Sequence, residues 1–444
     1  MKKIFAIVAV VALAVSLTTT EASARPTREQ NRQEVLNRGR GYYKDILMDS
    51  GVGLACRRTL PVADALGLEM EYFLTPPKKE MIEEDQIYQV NVVLGTEEDT
   101  NGWLLYPDGA PRYRMIFVNG GSAGYHARSF PEEARNRFVQ FVNNGGSYVG
   151  TCAGAYFGSA GGYSSIKHKS RNTHLYLGVW PGYTHSTNIR KTRIPLAIPK
   201  RSPLLKYSDF GSDNIVEVYH NGGCFYYDGN AKPAPDGTES LATYNTHGTP
   251  KVDVYGKTDI WAYKANAKTG RVILCGSHPE GAKKGERLEL MSAMVLYAID
   301  GNSAPQVKGT LKGGQVREMN KRTEDNDPKN TRIGDKQYHH FLVNVPRKCK
   351  QLKITLEGYE GENGYDLFLS AQRNGFAYTD TAFDKVVSAG CDKVLVIDKP
   401  KAGKWYVSVF CDTTVDTETG RNGFMYVGNK GVLNGVPYKV SVEY

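Results

Sequence analysis

Cysteine is scarce in this sequence, with seven among 444 residues. That is too few for a small domain knotted by disulfides, and an odd number leaves at least one thiol unpaired in a monomer. No C-x-x-C and no H-E-x-x-H spacing occurs, so neither a metal site nor a cofactor is expected. Glycine, at 47 residues, falls far short of the roughly one-third of a collagen. With 40% hydrophobic and 23% charged residues, the chain is not disordered either. Beyond residues 4–17 there is no long apolar run, and that one is shorter than the ~20 residues a membrane-spanning helix needs. The basic excess, 56 Lys+Arg against 47 Asp+Glu, is scattered. Arg57-Arg58, Lys78-Lys79, Lys283-Lys284 and the stretch 167–171 form short clusters without regular aromatic interleaving. Nucleic acid is therefore not an expected partner.

The N-terminus reads as a secretory leader. Lys2 and Lys3 precede the apolar run, and Ala22-Ser23-Ala24 supplies a small-residue cleavage site. Residues 1–24 are expected to be a signal peptide, leaving a periplasmic or secreted protein with no transmembrane anchor.

Composition and periodicity divide the remainder. Residues 25–41 are a basic lead-in, and residues 42–300 alternate strand-like and helix-like segments. Residues 301–335 hold almost no large apolar side chain and read as a linker. Residues 336–444 switch to a period of two, as in Leu352, Ile354 and Leu356 or Trp405, Val407 and Val409. The expected architecture is an α/β domain with a mainly parallel sheet and helices on both faces, followed by a smaller all-β sandwich. Strands are expected at 45–48, 113–118, 148–151 and 271–275. Helical segments are expected near 56–66, after a capping box of Ser129 and Glu132 with Pro131 between them, and over 287–299.

Chemistry concentrates where two of these strands end. Gly150-Thr151-Cys152-Ala153-Gly154 is a strand turning sharply into a helix, with small neighbours around an exposed corner. A thiol there, at a helix N-terminus, is favoured as thiolate. The strand at 271–275 runs into Gly276-Ser277-His278-Pro279-Glu280. His278 would reach the same edge of the sheet, and Glu280 would orient its ring. The N–H of Ala153 and one from Gly120 or Gly121 are the candidate oxyanion donors. Taken singly, each motif is equally a small core residue or an ordinary turn; paired after two strands, they point to a site. Tyr156, His220 and Asn221 are candidate substrate-binding residues, the alternative for His220 to Gly223 being a tight turn. The other histidines, among them His168, His174, His185, His247, His339 and His340, fit surface or structural positions.

GGSYVGTCAGAYF with GSHPE resembles the class I glutamine-amidotransferase superfamily. Val118-Asn119-Gly120-Gly121, Leu177 to Gly182 and Tyr219-His220-Asn221-Gly222-Gly223 narrow the resemblance to its biotin-protein-ligase N-terminal-like branch, over about residues 42–300. The resemblance implies a flavodoxin-like fold, with Cys152 as nucleophile, His278 as base and Glu280 as orienter. Gly364-Tyr365-Asp366-Leu367-Phe368-Leu369 and the segment 403–409 resemble the bacterial pre-peptidase C-terminal domain, which implies a binding or secretion-assisting sandwich. Cys391 and Cys411 flank strands there and are candidates to pair, with Cys349 a third.

The functional expectation is an exported cysteine-dependent hydrolase or acyltransferase of amidase or peptidase type. It would act through a thioester on a small amide, ester or peptide, with a cell-envelope polymer as a further partner. The alternatives are a non-catalytic ligand- or envelope-binding protein on the same fold, and a glutaminase.

Overall fold

The computed structural model describes residues 26–49, 56, 58–73, 103–164, 167–361, 364–420 and 423–444. The expected leader lies outside the described residues.

Five parallel strands form the centre of the larger body, in the order Met70–Phe73, Lys44–Asp49, Tyr113–Val118, Ser147–Thr151 and Val272–Cys275. Their side chains alternate between two buried faces. Ile46, Met48, Met115, Phe117, Val149 and Ile273 pack with the helices Arg28–Leu36, Pro61–Leu66 and Glu286–Asp300. Leu47, Ile116, Val118 and Tyr148 pack on the other side with Ala123–Ser129, Glu132–Asn143 and Ala153–Gly158. Covering both faces lets such strands be apolar almost throughout. This is the flavodoxin-like α/β arrangement expected, with helices on both faces.

The sheet does not stop at its parallel centre. Beyond Val272–Cys275 it continues antiparallel through Thr258–Tyr263, Thr238–Tyr244, Thr192–Ala197 and Ile215–His220. A separate four-stranded sheet, Cys224–Tyr227, Trp180–Ser186, Ser159–Ser164 and Lys169–Arg171, sits beside it. Within this second sheet Ser159–Ser164 pairs parallel with Trp180–Ser186 and the other pairs are antiparallel; the turn between Ile215–His220 and Cys224–Tyr227 reaches Cys152 at the carboxyl edge of the parallel strands.

The helix expected after a Ser129 cap starts differently. Ser129 ends the preceding helix, and Glu132–Asn143 begins after Pro131, which makes no side-chain capping bond. Proline suits that position because it lacks an N–H and its φ of −62° already matches a helix entry. Ala134, Phe138, Phe141 and Val142 are buried along one face of this helix.

The C-terminal body is a sandwich of two sheets. One is five-stranded, with Val307–Thr310, Tyr338–Val345, Gly403–Cys411, Leu367–Gln372 and Asp384–Val386 in spatial order. The other is four-stranded, with Val316–Met319, Tyr438–Glu443, Gln351–Gly358 and Lys393–Asp398. Leu352, Ile354 and Leu356 are fully buried between them, as the alternating pattern requires. The stretch read as a linker, 301–335, instead supplies an edge strand to each sheet: Val307–Thr310 pairs parallel with Tyr338–Val345, and Val316–Met319 antiparallel with Tyr438–Glu443. An edge strand buries little, and Val316 is 59% exposed. That is why the segment lacks the apolar residues that mark a strand in sequence.

The two bodies are joined by a buried polar contact. Arg112 grips Asp335 through two hydrogen bonds of 3.0 and 2.8 Å, and Tyr106 donates to the Asp335 carbonyl at 2.8 Å. The hairpin Asp416–Gly420 and Gly423–Val427 leaves the sandwich sequence and extends the larger sheet beside Met70–Phe73. Its Tyr426 hydroxyl reaches Glu71 at 3.2 Å, which also accepts from Tyr43 and Tyr113. None of the seven cysteines forms a disulfide, so the expected pairing of Cys391 with Cys411 is not made.

Candidate functional site

Cys152 sits between the strand Ser147–Thr151 and the helix Ala153–Gly158 with φ 45° and ψ −99°. A non-glycine residue held there stores strain that its surroundings must hold in place. Two contacts show how. The Cys152 N–H donates to the Cys275 carbonyl at 2.8 Å, tying the corner to the neighbouring strand. The flanking glycines permit backbone approach that no side chain would. A Cβ on Gly154 would lie 2.1 Å from the Val118 carbonyl oxygen, and one on Gly150 would lie 2.5 Å from the Gly154 backbone.

The same neighbouring strand delivers His278. Its N–H donates to the Tyr219 carbonyl at 2.8 Å, fixing the backbone just past the strand end. Nδ1 lies 2.9 Å from Glu280 Oε1, and both residues are buried. Cys152 also favours the charged form of the imidazole. Burial disfavours charge on His278, but the hydrogen bonds and charges of Cys152 and Glu280 outweigh it, and its pKa is pushed up to about 10. The ring is therefore an imidazolium at neutral pH. Cys152, His278 and Glu280, 128 residues apart at the extremes, meet at one point as the two motifs suggested.

The donors around this point differ from the expectation. Gly120 spends its N–H on Asn119 Oδ1 at 2.8 Å, so it is not free to face a ligand. Asn119 has turned its side chain back on its own loop, which also donates to the Cys56 carbonyl at 2.5 Å. Gly121 is exposed, with φ 139°. The Ala153 N–H opens the helix ahead of the first bonds to the Cys152 carbonyl, which come from Ala155 and Tyr156.

Of Tyr156, His220 and Asn221, the structure places His220 away from the cleft. The Tyr156 hydroxyl donates to the Gly222 and Gly223 carbonyls at 3.3 and 3.1 Å, bracing that loop. Asn221 presents its backbone carbonyl to Cys152 Sγ at 3.8 Å. His220 does not line the cleft: it is fully buried, with Nε2 2.8 Å from Thr187 Oγ1 and Nδ1 2.9 Å from Ser277 Oγ. It occupies an inward position at the end of its strand, where a ring can be enclosed only if both nitrogens find partners.

Two neighbours carried no sequence signal. Asp49, at the end of its parallel strand, meets His126 Nδ1 at 2.8 Å with both side chains buried. Burial opposes the charge on His126, but Asp49 and the backbone of Gly120 and Asn119 outweigh it and raise its pKa. Cys56 Sγ lies 3.2 Å from the Glu280 carbonyl. Burial and the charge of Glu280 push its thiol up to about 12, which makes it a poor nucleophile. Among the described residues no three His, Cys, Asp or Glu side chains gather as metal ligands would.

With this geometry in view, comparisons with known proteins are informative. The biotin-protein ligase N-terminal family model matches residues 88–297. A biotin–protein ligase of Schizosaccharomyces pombe is 26% identical over 228 residues, 45% of this chain and 32% of that protein. The chain thus spans about a third of the length of the curated relative it matches. Among solved structures, a glutamine amidotransferase is similar at 14% identity, covering 53% of this chain and 90% of that one, with a TM-score of 0.31. The pre-peptidase C-terminal domain of a Bacillus anthracis collagenase is similar at 12% identity, covering 32% of this chain and all of that domain, with a TM-score of 0.18. The family model and the curated relative overturn the expectation of an exported cysteine hydrolase: the part of this chain that they match is similar to biotin–protein ligase.

Proposed function

We propose that this chain is an enzyme of biotin-protein-ligase-like function, because residues 88–297 match the biotin-protein ligase N-terminal family model and 228 residues are 26% identical to a biotin–protein ligase. The match to that family and to a named biotin–protein ligase carries the reading. It concerns the third of that relative's length which the two chains share. The proposed site is the pocket of Cys152, His278 and Glu280, and its proposed role is to receive the carboxyl group that such a function must handle.

The chemistry of the pocket supports that role. A buried imidazole whose pKa is pushed up to about 10 favours positive charge and hydrogen-bond donation. A carboxylate is the natural complement, since charge-assisted bonds in an enclosed site are stronger than neutral ones. Glu280 holds the ring from behind through Nδ1, leaving the other ring nitrogen for Cys152 or a ligand. Cys152 then stands against the bound carboxyl carbon.

Calorimetric titration with biotin and with its methyl ester tests this reading. Saturable binding of biotin, lost in His278→Gln and absent for the ester, is the expected result. The absence of saturable biotin binding, or equal binding of acid and ester, would overturn it.

A further inference from the structure

A chain of hydrogen bonds runs beneath this pocket and ends at two of its walls. Ser277, the residue before His278, places Oγ 2.9 Å from Asp259 Oδ1 and 2.9 Å from His220 Nδ1. His220 Nε2 is 2.8 Å from Thr187 Oγ1, which lies 3.1 Å from the Gly223 carbonyl. That carbonyl belongs to the loop braced by Tyr156, whose Asn221 carbonyl faces Cys152 Sγ. Asp259, Ser277, His220 and Thr187 are all buried. Gly276 makes the approach possible, because a Cβ there would lie 2.8 Å from Asp259 Oδ1 and 1.8 Å from the Cys224 carbonyl.

We propose that Asp259, Ser277, His220 and Thr187 form a positioning relay for the Cys152 pocket, whose hydrogen bonds run one way with Asp259 ionised and the other way with it protonated. Each hydroxyl and each neutral imidazole has one proton, so the direction of every link follows from the first. With Asp259 ionised, Ser277 donates to it, His220 donates from Nδ1 to Ser277, and Thr187 donates to His220 Nε2. One added proton on Asp259 reverses the order. Asp259 then donates to Ser277, Ser277 to His220 Nδ1, His220 from Nε2 to Thr187, and Thr187 to the Gly223 carbonyl. The proton stays on Asp259; what reaches the loop is a new hydrogen bond and a changed tautomer.

The surroundings favour Asp259 as the group that takes the proton. Tyr244 and Cys275 face its carboxyl from the adjoining strands, and His278 contributes a positive charge nearby. Burial outweighs these and pushes its pKa up to about 6. Burial and the charge of His278 hold His220 down at about 3, so its ring stays neutral while Asp259 titrates. This relay goes beyond the assignment of the pocket, and its test needs no substrate.

Long-range nitrogen–proton NMR of imidazole-labelled full-length chain reads the tautomer of His220 directly. The expected result is an Nδ1–H ring at pH 8 that becomes an Nε2–H ring at pH 5. The change is lost in Ser277→Ala, where the link is cut but Asp259 remains, and in Asp259→Asn. Cys152 alkylation, followed by peptide mass spectrometry, should lose the same pH-dependent component in Ser277→Ala. A single His220 tautomer across pH 5–8, or a tautomer change that survives in Ser277→Ala, would overturn the relay. Should Asp259→Asn fail to fold, Ser277→Ala decides the matter alone.

Discussion

Replacing Glu280 with Gln keeps the shape of the His278 partner and removes its charge. In the native protein His278 holds its proton up to about pH 10, against about 6.5 for an ordinary histidine. His220 shows what burial does without a carboxylate: enclosed by hydroxyls a short distance away, and repelled by the charge on His278, it is held at about 3. Glu280→Gln should therefore lower the His278 midpoint, while Cys152 continues to favour the charged ring. The consequence for stability follows by linkage. A histidine with a raised folded-state pKa stabilises fully below about pH 6.5, and the contribution is lost as pH rises towards 10. Each pH unit inside that window removes at most about 1.4 kcal/mol, so passing from pH 7 to 9 removes at most about 2.7 kcal/mol. In Glu280→Gln the folded-state midpoint moves down towards that of the unfolded chain, and this slope becomes shallower. Urea unfolding of both proteins at pH 6, 7, 8 and 9, with NMR titration of His278, measures the difference. Equal slopes from pH 7 to 9, or a His278 midpoint still near 10 in Glu280→Gln, would refute the reasoning.

Other perturbations probe separate parts of the structure. Arg112→Met leaves Asp335 buried without its cation, and urea unfolding should show a loss of about 3–5 kcal/mol; adding Asp335→Leu should recover much of it. Gly154→Ala drives a methyl group against the Val118 carbonyl, so thermal unfolding should fall to a markedly lower temperature and Cys152 should lose its corner geometry. His126→Ala removes the ion pair behind the 119–121 loop, and amide exchange at Gly120 should accelerate while the distant sandwich strands keep their protection. Cys56, with its thiol pushed up to about 12, should resist alkylation at pH 7 in the folded chain and react once the chain is unfolded in urea.

Four of the five central parallel strands were legible because they are short, apolar and followed by turn residues; Met70–Phe73, with Glu71 in its middle, was not. Cys152 and the His278–Glu280 pair could be read from the same feature: each follows immediately on a buried strand. What lay between residues 159 and 263 was not legible, since antiparallel strands such as Trp180–Ser186 and Lys169–Arg171 mix polar and aromatic residues with only partial burial. The edge strands at Val307–Thr310 and Val316–Met319 were read as linker for a related reason: they are held by backbone pairing more than by apolar side chains. Gly120, His220 and Asn221 show a different limit. A motif marks that a loop is special, but whether an N–H is spent on Asn119, or a ring points inward to Ser277, depends on partners distant in sequence. The buried pairs Asp49–His126 and Arg112–Asp335 join segments 77 and 223 residues apart and leave no local pattern at all.

The central claim is that the pocket of Cys152 and His278 receives a carboxyl group in a biotin-protein-ligase-like function. A crystal structure of the full chain with biotin tests it most directly, through the distance from the ligand carboxylate to the His278 imidazole. The account predicts a carboxylate oxygen at hydrogen-bond distance, about 2.7–3.0 Å, from His278, with Cys152 beside the carboxyl carbon. Biotin bound elsewhere, or with its carboxylate turned away from His278, would contradict it.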